Sequence, residues 1–155
     1  MLDKTLLEHV VEVVPNHKID QVVVAGGYKV DDIEAYFKEV DVPYDVTIVK
    51  ETEPLGTGGA LGNCRDVVSG PFFCLNGDII SSLDMQVGLD LHKKNGGLGT
   101  IALWEVDDPT RFGIVGLDES KRVTQFKEKP KPEEVFSNLI NAGSYIFEED
   151  IFDRI

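Results

Sequence analysis

Cysteine is scarce here. Only Cys64 and Cys74 occur in 155 residues, one in an expected helix and one inside a short apolar run. Their spacing fits no zinc ligand set, and two isolated thiols are not a disulfide framework. Both are expected as core thiols in a reducing, cytoplasmic setting. No apolar run approaches the roughly 20 residues that cross a bilayer, and the N-terminus lacks the build of a signal peptide. Basic residues are few, 15 Lys and Arg against 28 Asp and Glu, for a formal net charge of −13. That field opposes nucleic acid and anionic membrane as broad-surface partners. It still permits one small anionic ligand, because backbone amides, local lysines and Mg²⁺ hold phosphates against a global field. Internal repeats, linkers and low-complexity tracts are also absent. Residues 1–155 therefore read as one domain, large enough for a real core.

What is present alternates between the two periodicities. Thr5-Leu6-Leu7-Glu8 is a capping-box pattern, and Leu6, Leu7, Val10, Val11 and Val14 continue at helical spacing until Pro15-Asn16. His9 and His17 are placed on the exposed side or end of that helix. Gln21 to Ala25 reads as a strand ended by Gly26-Gly27. Asp31-Asp32 opens a helix with Ile33, Tyr36, Phe37 and Val40 on one face. Asp45 to Val49 is the next strand. Thr57 is a candidate N-cap for a helix running toward Val67. Phe72 to Leu75 is a short buried strand, followed by a helix with Leu83, Val87 and Leu91 inward, ended by Asn95-Gly96-Gly97. His92 is expected on that helix's surface and Trp104 at the core edge. Thr100 to Val106 is a strand. Phe112 to Leu117 and Arg122 to Phe126 form a hairpin about a polar turn. Leu139 to Phe147 is a last strand, and Glu148-Glu149-Asp150 begins a last helix. Strands alternating with helices, then a hairpin, predict an α/β fold with a mixed sheet covered by helices.

Three features suggest chemistry. Leu75-Asn76-Gly77-Asp78 places a glycine and a carboxylate at the carboxyl end of a strand, where α/β sheets bind ligands. Leu55-Gly56-Thr57-Gly58-Gly59-Ala60-Leu61-Gly62 is the glycine-dense segment. It reads equally as a phosphate-approaching loop and as a tight turn that lets a helix pack closely. Gly56, Gly58 and Gly62 also echo a dinucleotide-binding fingerprint, with Asp78 as the ribose acid. Against that, Glu51 to Leu55 separate the glycines from their strand. The third feature is a set of later motifs: Arg111-Phe112-Gly113-Ile114-Val115, Phe126-Lys127-Glu128-Lys129-Pro130 and Asn141-Ala142-Gly143-Ser144-Tyr145.

Taken in order, these five landmarks resemble the sugar-phosphate nucleotidyltransferases, or NDP-sugar pyrophosphorylases. The resemblance is strongest to the mannose-1-phosphate guanylyltransferase and glucose-1-phosphate nucleotidyltransferase branches. It implies a Rossmann-like, glycosyltransferase-A-like α/β domain with a mixed, mostly parallel sheet flanked by helices. It implies transfer of a nucleotidyl group from an NTP to a sugar 1-phosphate, with release of pyrophosphate. In that reading Asp78 is one of two aspartates holding catalytic Mg²⁺. Glu51 reads the base edge, where an acceptor-only carboxylate suits guanine and hence GTP. Leu55, Gly56 and Gly59 line the base and ribose pocket. Gly113, Glu128, Lys129 and Asn141 form the sugar-phosphate side, best matched to mannose 1-phosphate, with Tyr145 as core or wall.

The resemblance also has gaps. The family's glycine- and arginine-containing triphosphate loop does not occur in these residues, nor does the second aspartate, so the domain reads as truncated at both ends. The family's central first strand would lie between Val22–Ala25 and Phe72–Leu75. A homo-oligomer or a complementing segment is expected to fill that slot. Two alternatives stay open: a nucleotide- or sugar-phosphate-binding homologue without turnover, and an NAD-type domain.

Overall fold

The computed structural model describes residues 4–12, 14 and 19–155. Helix α1 (Leu6–Val11) opens with the expected capping box: Thr5 Oγ1 accepts from Glu8 N at 3.3 Å, and Glu8 Oε2 accepts from Thr5 N at 2.7 Å. The same Glu8 oxygen accepts the Tyr36 hydroxyl at 2.7 Å, tying α1 to α2 (Val30–Glu39). This bond, then the bonds from Thr5, holds the Glu8 carboxyl below its ordinary range. Val14 lies in a bend beyond the helix, His9 is half-buried, and the Pro15-Asn16 stop and His17 lie outside the described residues.

The strands form two sheets. β1 (Gln21–Gly26) and β2 (Asp45–Lys50) are parallel, in register from Gln21↔Asp45 to Gly26↔Lys50. The second sheet is built on the nine-residue β7 (Leu139–Phe147). Its two edges are covered differently. β4 (Gly99–Glu105) pairs along one edge from Gly99↔Phe147 to Glu105↔Leu139, with a register shift between Ile101 and Leu103. The other edge is divided. β3 (Phe72–Leu75) pairs Phe72↔Phe147 through Leu75↔Ser144, and β5 (Gly113–Leu117) meets β7 at Ile114↔Ile140. β6 (Val123–Glu128) completes the expected hairpin on β5. Among the described strands, β1–β2 is the parallel ladder and the ladders around β7 are antiparallel, so the sheet expected as mixed and mostly parallel is instead two sheets with mostly antiparallel pairing, since β3, β4 and β5 all run against β7. β1 and β3 do not pair with each other, and each has one edge with no ladder partner among the described strands.

The core sits where β5 crosses β7. Ile114 and Val115 are fully buried, and Ile140, Ile146, Met85 and Phe152 are also buried. Phe72 stacks on Phe152 with ring centroids 5.5 Å apart, and Tyr145 stacks on Phe147 at 5.4 Å. The β3 strand is half-buried rather than buried, because its second edge is open. The last helical element is a 3₁₀ turn, Glu149–Asp153. Trp104 is 59% exposed, further out than a core edge.

Two helices depart from expectation for identifiable reasons. Helix α3 (Gly56–Gly62) begins at Gly56 after Leu55, which makes no side-chain cap, so Thr57 lies inside it rather than capping it. The helix ends at Gly62 rather than running toward Val67. Four of its seven residues are glycine, each costing about 1 kcal/mol relative to alanine. In α4 (Met85–Asn95), Val87 and Leu91 point outward, 64% and 40% exposed, and Leu83 precedes the helix. Asp84 sets the phase: its Oδ1 accepts from Gln86 N at 3.0 Å and Val87 N at 3.4 Å, the N-cap arrangement. The inward stripe is then Met85, Gly88 and His92, where a Cβ on Gly88 would touch Ile146 Cδ1 at 3.4 Å. His92, expected on the surface, is 2% exposed. Its Nδ1 lies 2.9 Å from Thr100 Oγ1 and its Nε2 3.0 Å from Glu148 Oε1. A histidine satisfied at both ring nitrogens is a stable buried group.

Candidate nucleotide and sugar-phosphate site

The site residues lie at the strand ends and along one row of the second sheet. Asp78 is exposed in the turn that leaves β3, closed by an Ile79 N–H to Asn76 O bond of 3.3 Å. The turn is fastened to β7. Asn76 N–H donates to Gly143 O at 2.8 Å, one step past the last pair of the β3–β7 ladder. Gly143 is left-handed, with φ +68, and a Cβ there would lie 2.7 Å from both Asn76 Nδ2 and Ile79 Cδ1. Glycine is required both by backbone and by space.

Gly143 also joins this turn to Asn141. Gly143 N–H donates to Asn141 Oδ1 at 2.9 Å, and Asn141 Nδ2 donates to the Tyr145 hydroxyl at 2.6 Å. Asn141 is thus oriented by its own strand. Next to it, Ile140 faces Ile114 of β5, and Gly113 faces Glu128 of β6. The sequence-predicted sugar-side residues Asn141, Gly113 and Glu128 therefore come together across three adjacent strands. Gly113 is buried, and a Cβ there would fall 2.8 Å from Glu128 Oε2 and 2.6 Å from Phe126 Cζ. The missing side chain is the space in which the carboxylate sits.

Lys129 adds a cation beside that carboxylate. Consecutive strand residues normally point to opposite faces, which would separate it from Glu128. Its backbone turns left-handed, φ 43, ahead of Pro130, and Lys129 N–H donates to Phe112 O at 2.9 Å. With the alternation broken, Lys129 Nζ lies 4.0 Å from Glu128 Oε1, both side chains well exposed. A pair so exposed contributes little to stability, and a non-glycine residue held at positive φ is strained.

The residues expected on the nucleotide side lie at the end of the first sheet and in the segment that follows it. Glu51 follows β2, and its N–H donates to Gly26 O at 2.9 Å. Leu55, Gly56 and the half-buried Gly59 follow in the loop and α3. A Cβ on Gly59 would overlap Leu55 Cβ at 2.6 Å, whereas nothing lies within 4 Å of one on Gly56 or Gly58. Gly59 thus serves close packing against Leu55, and Gly56 and Gly58 border open space. Cys64 lies just past α3. Burial raises its thiol pKa first, and the Glu51 charge adds to that. Burial pushes Cys74 on β3 up to about 11, with a smaller contribution from Cys64. Both thiols are free.

Residue reasoning alone missed the structural parts of this site: Gly143 as the joint between Asp78 and Asn141, and Phe126 over Gly113. The Asn-x-Gly spacing was a usable signal for the first, since asparagine and glycine commonly share such turns.

The nucleotidyl transferase family model matches residues 1–155. The chain belongs to the nucleotidyl transferase family. It is 37% identical over 160 residues to mannose-1-phosphate guanylyltransferase 1 of Arabidopsis thaliana, an alignment covering 99% of this chain and 44% of that protein. The chain thus spans less than half the length of that relative. Among solved structures, HddC from Yersinia pseudotuberculosis complexed with GMP-PN superposes with a TM-score of 0.74 at 28% identity, covering 97% of this chain and 65% of the other. UDP-glucose pyrophosphorylase complexed with UDP-glucose superposes at 0.78 with 21% identity, over 98% and 67% respectively, a likeness of fold. The α/β, Rossmann-like nucleotidyltransferase expectation is borne out. Among the described residues no helix is long and apolar enough to cross a membrane.

Proposed function

We propose that this chain carries the base-recognising and sugar-recognising parts of a sugar-phosphate nucleotidyltransferase acting on GTP and mannose 1-phosphate. The observation that carries the reading is the row Asn141–Gly113–Glu128, joined through Gly143 to the turn bearing Asp78. An acceptor carboxylate, an amide and a bare glycine surface suit sugar hydroxyls, and Lys129 suits the phosphate as a point charge. The guanine nucleotide in HddC and the mannose-1-phosphate guanylyltransferase relative support the choice of base and sugar.

In the reaction the substrate's own phosphate oxygen bonds to the α-phosphorus, and the bond from that phosphorus to the bridging oxygen breaks. The electron pair leaves with pyrophosphate, so the protein positions and neutralises rather than attacks. Glu51 holds the base edge, with Leu55, Gly56 and Gly59 around base and ribose. Glu128, Asn141 and Gly113 hold the sugar. Asp78 is the residue suited to Mg²⁺. Among the described residues no cluster of three or more His, Cys, Asp or Glu could hold a metal by itself, and Mg²⁺ characteristically takes one or two carboxylates plus substrate phosphates. When bound, the ion supplies neutralisation of phosphate charge. Two free thiols fit a reducing, cytoplasmic setting.

Calorimetric titration with GTP and mannose 1-phosphate in Mg²⁺ tests this directly. Both are expected to bind, and Glu128→Gln is expected to weaken mannose 1-phosphate about tenfold, the loss of a charged hydrogen bond, with GTP unaffected. Binding of neither ligand would overturn the reading. Binding without pyrophosphate release from any longer form of the protein would make it a non-catalytic homologue.

The unpaired edges of β1 and β3 support a further partner: an extended segment, from a second copy or from elsewhere in the polypeptide, lying between them as a strand. Unpaired edges are templates for added strands. The β1 and β3 amides are then expected to be protected from hydrogen exchange on both edges. Sedimentation as a monomer with those edge amides exchanging freely would sink the idea.

A further inference from the structure

We infer that Tyr28 is the platform on which the face of the nucleotide base rests. This builds on the reading that Glu51 meets the base edge. Tyr28 is 88% exposed, more than any other large hydrophobic side chain described. The backbone holds it there. β1 ends in Gly26 and Gly27, Val30 N–H donates back to Gly27 O at 3.4 Å, and Lys29 takes a left-handed φ of 52 with no side-chain cap on α2. A non-glycine residue in that conformation is strained, and here the strain keeps the tyrosine at the tip of a tight reversal.

The tip adjoins Glu51. Gly26 O accepts the Glu51 N–H at 2.9 Å, and a Cβ on Gly27 would touch Glu51 Cβ at 3.5 Å. Tyr28 is the next residue, about 3.8 Å further along the chain. A Cβ on Gly26, at the end of β1, would meet nothing within 4 Å, and the same holds for Gly56 and Gly58 in the glycine-dense segment, so the backbone at these positions faces open space. Lys29 Nζ sits 5.9 Å over the Tyr28 ring, which leaves the other face for a ligand.

The chemistry that suits this arrangement is a flat aromatic with donors on its edge. Glu51 accepts from the edge and selects among bases. A tyrosine face accepts any base and adds affinity without selecting, because every base has a π-face.

Titrations of the chain with GTP, inorganic tripolyphosphate and mannose 1-phosphate test this, using Tyr28→Ala and Tyr28→Phe. The alanine variant is expected to bind GTP about tenfold more weakly, in the range of base–aromatic stacking. The phenylalanine variant should stay close to the unaltered chain. Tripolyphosphate and mannose 1-phosphate should bind all three alike. The Tyr28 ring protons should shift upfield with GTP and stay put with tripolyphosphate. Equal GTP affinity in the alanine variant overturns the role of Tyr28 and leaves the proposed function standing. Equal loss of tripolyphosphate binding replaces stacking with a general effect on the loop and also overturns it. Failure of the unaltered chain to bind GTP overturns both.

Discussion

On the proposed function, Asp78→Asn is expected to abolish the Mg²⁺ dependence of GTP binding and to lower turnover by about three orders of magnitude. Charge neutralisation by a bound metal contributes several kcal/mol to such a transition state, and each 1.4 kcal/mol is about tenfold in rate. Asparagine keeps the shape of aspartate and removes the charge, so the change isolates the ion. Asp78 is exposed in its turn, and surface changes of this kind stay within about 0.5 kcal/mol of the parent in stability. The informative measurement is GTP affinity with and without Mg²⁺, alongside a thermal melt. A variant that melts normally and still binds GTP more tightly in Mg²⁺ would overturn the proposed metal role of Asp78. That outcome would leave Glu128 and Asn141 on the sugar side untouched, since they lie on β6 and β7.

Gly143→Ala is expected to be among the most destabilising small changes in the chain. The backbone there has φ +68, and the added methyl would lie 2.7 Å from Asn76 Nδ2 and Ile79 Cδ1. The left-handed conformation costs a non-glycine residue about 1–2 kcal/mol, and forcing an extra carbon into occupied space costs about 1–3 kcal/mol more. A loss of roughly 2–5 kcal/mol in chemical denaturation, with an unchanged m-value, is the expected reading. Function should fall with it. Gly143 O holds Asn76 N–H and Gly143 N–H holds Asn141 Oδ1, so a shift here displaces the Asp78 turn and the sugar-side amide together. Both GTP and mannose 1-phosphate affinity should drop, unlike Glu128→Gln, which acts on one. A loss below about 0.5 kcal/mol, the scale of an ordinary surface change, would mean that the β7 kink relaxes freely and is not the joint described.

Local pattern was enough for much of this. The Thr5–Glu8 box and the β5–β6 hairpin are set by nearest-neighbour chemistry: a side chain reaching back one turn, and a polar reversal. The order of five short motifs was enough to reach the family. Asp78 could be placed at a strand's carboxyl end because a four-residue apolar run before a glycine leaves few other options.

The inward face of α4 was not legible. Its apolar spacing pointed to Val87 and Leu91, but the Asp84 cap rotated the helix so that Gly88 and His92 face the sheet. Hydrophobic periodicity has no weight for a glycine that admits a neighbour or a histidine bonded at both nitrogens. The Thr57 cap failed similarly, since a glycine-rich segment starts a helix wherever packing allows.

By itself, then, the chain determined the family and most of its strands and helices, and it singled out the residues proposed to hold a base, a sugar phosphate and a divalent ion. Only the tertiary structure decided that Glu128, Gly113 and Asn141 form one row, that Gly143 locks that row to Asp78, and that β1 and β3 stand apart with open edges. Strand pairing joins residues such as Gly113 and Glu128 across a hairpin, or Asn76 and Gly143, far apart in sequence, across the adjacent strands β3 and β7. Such pairings depend on register and backbone reversals, which no short stretch of sequence encodes alone.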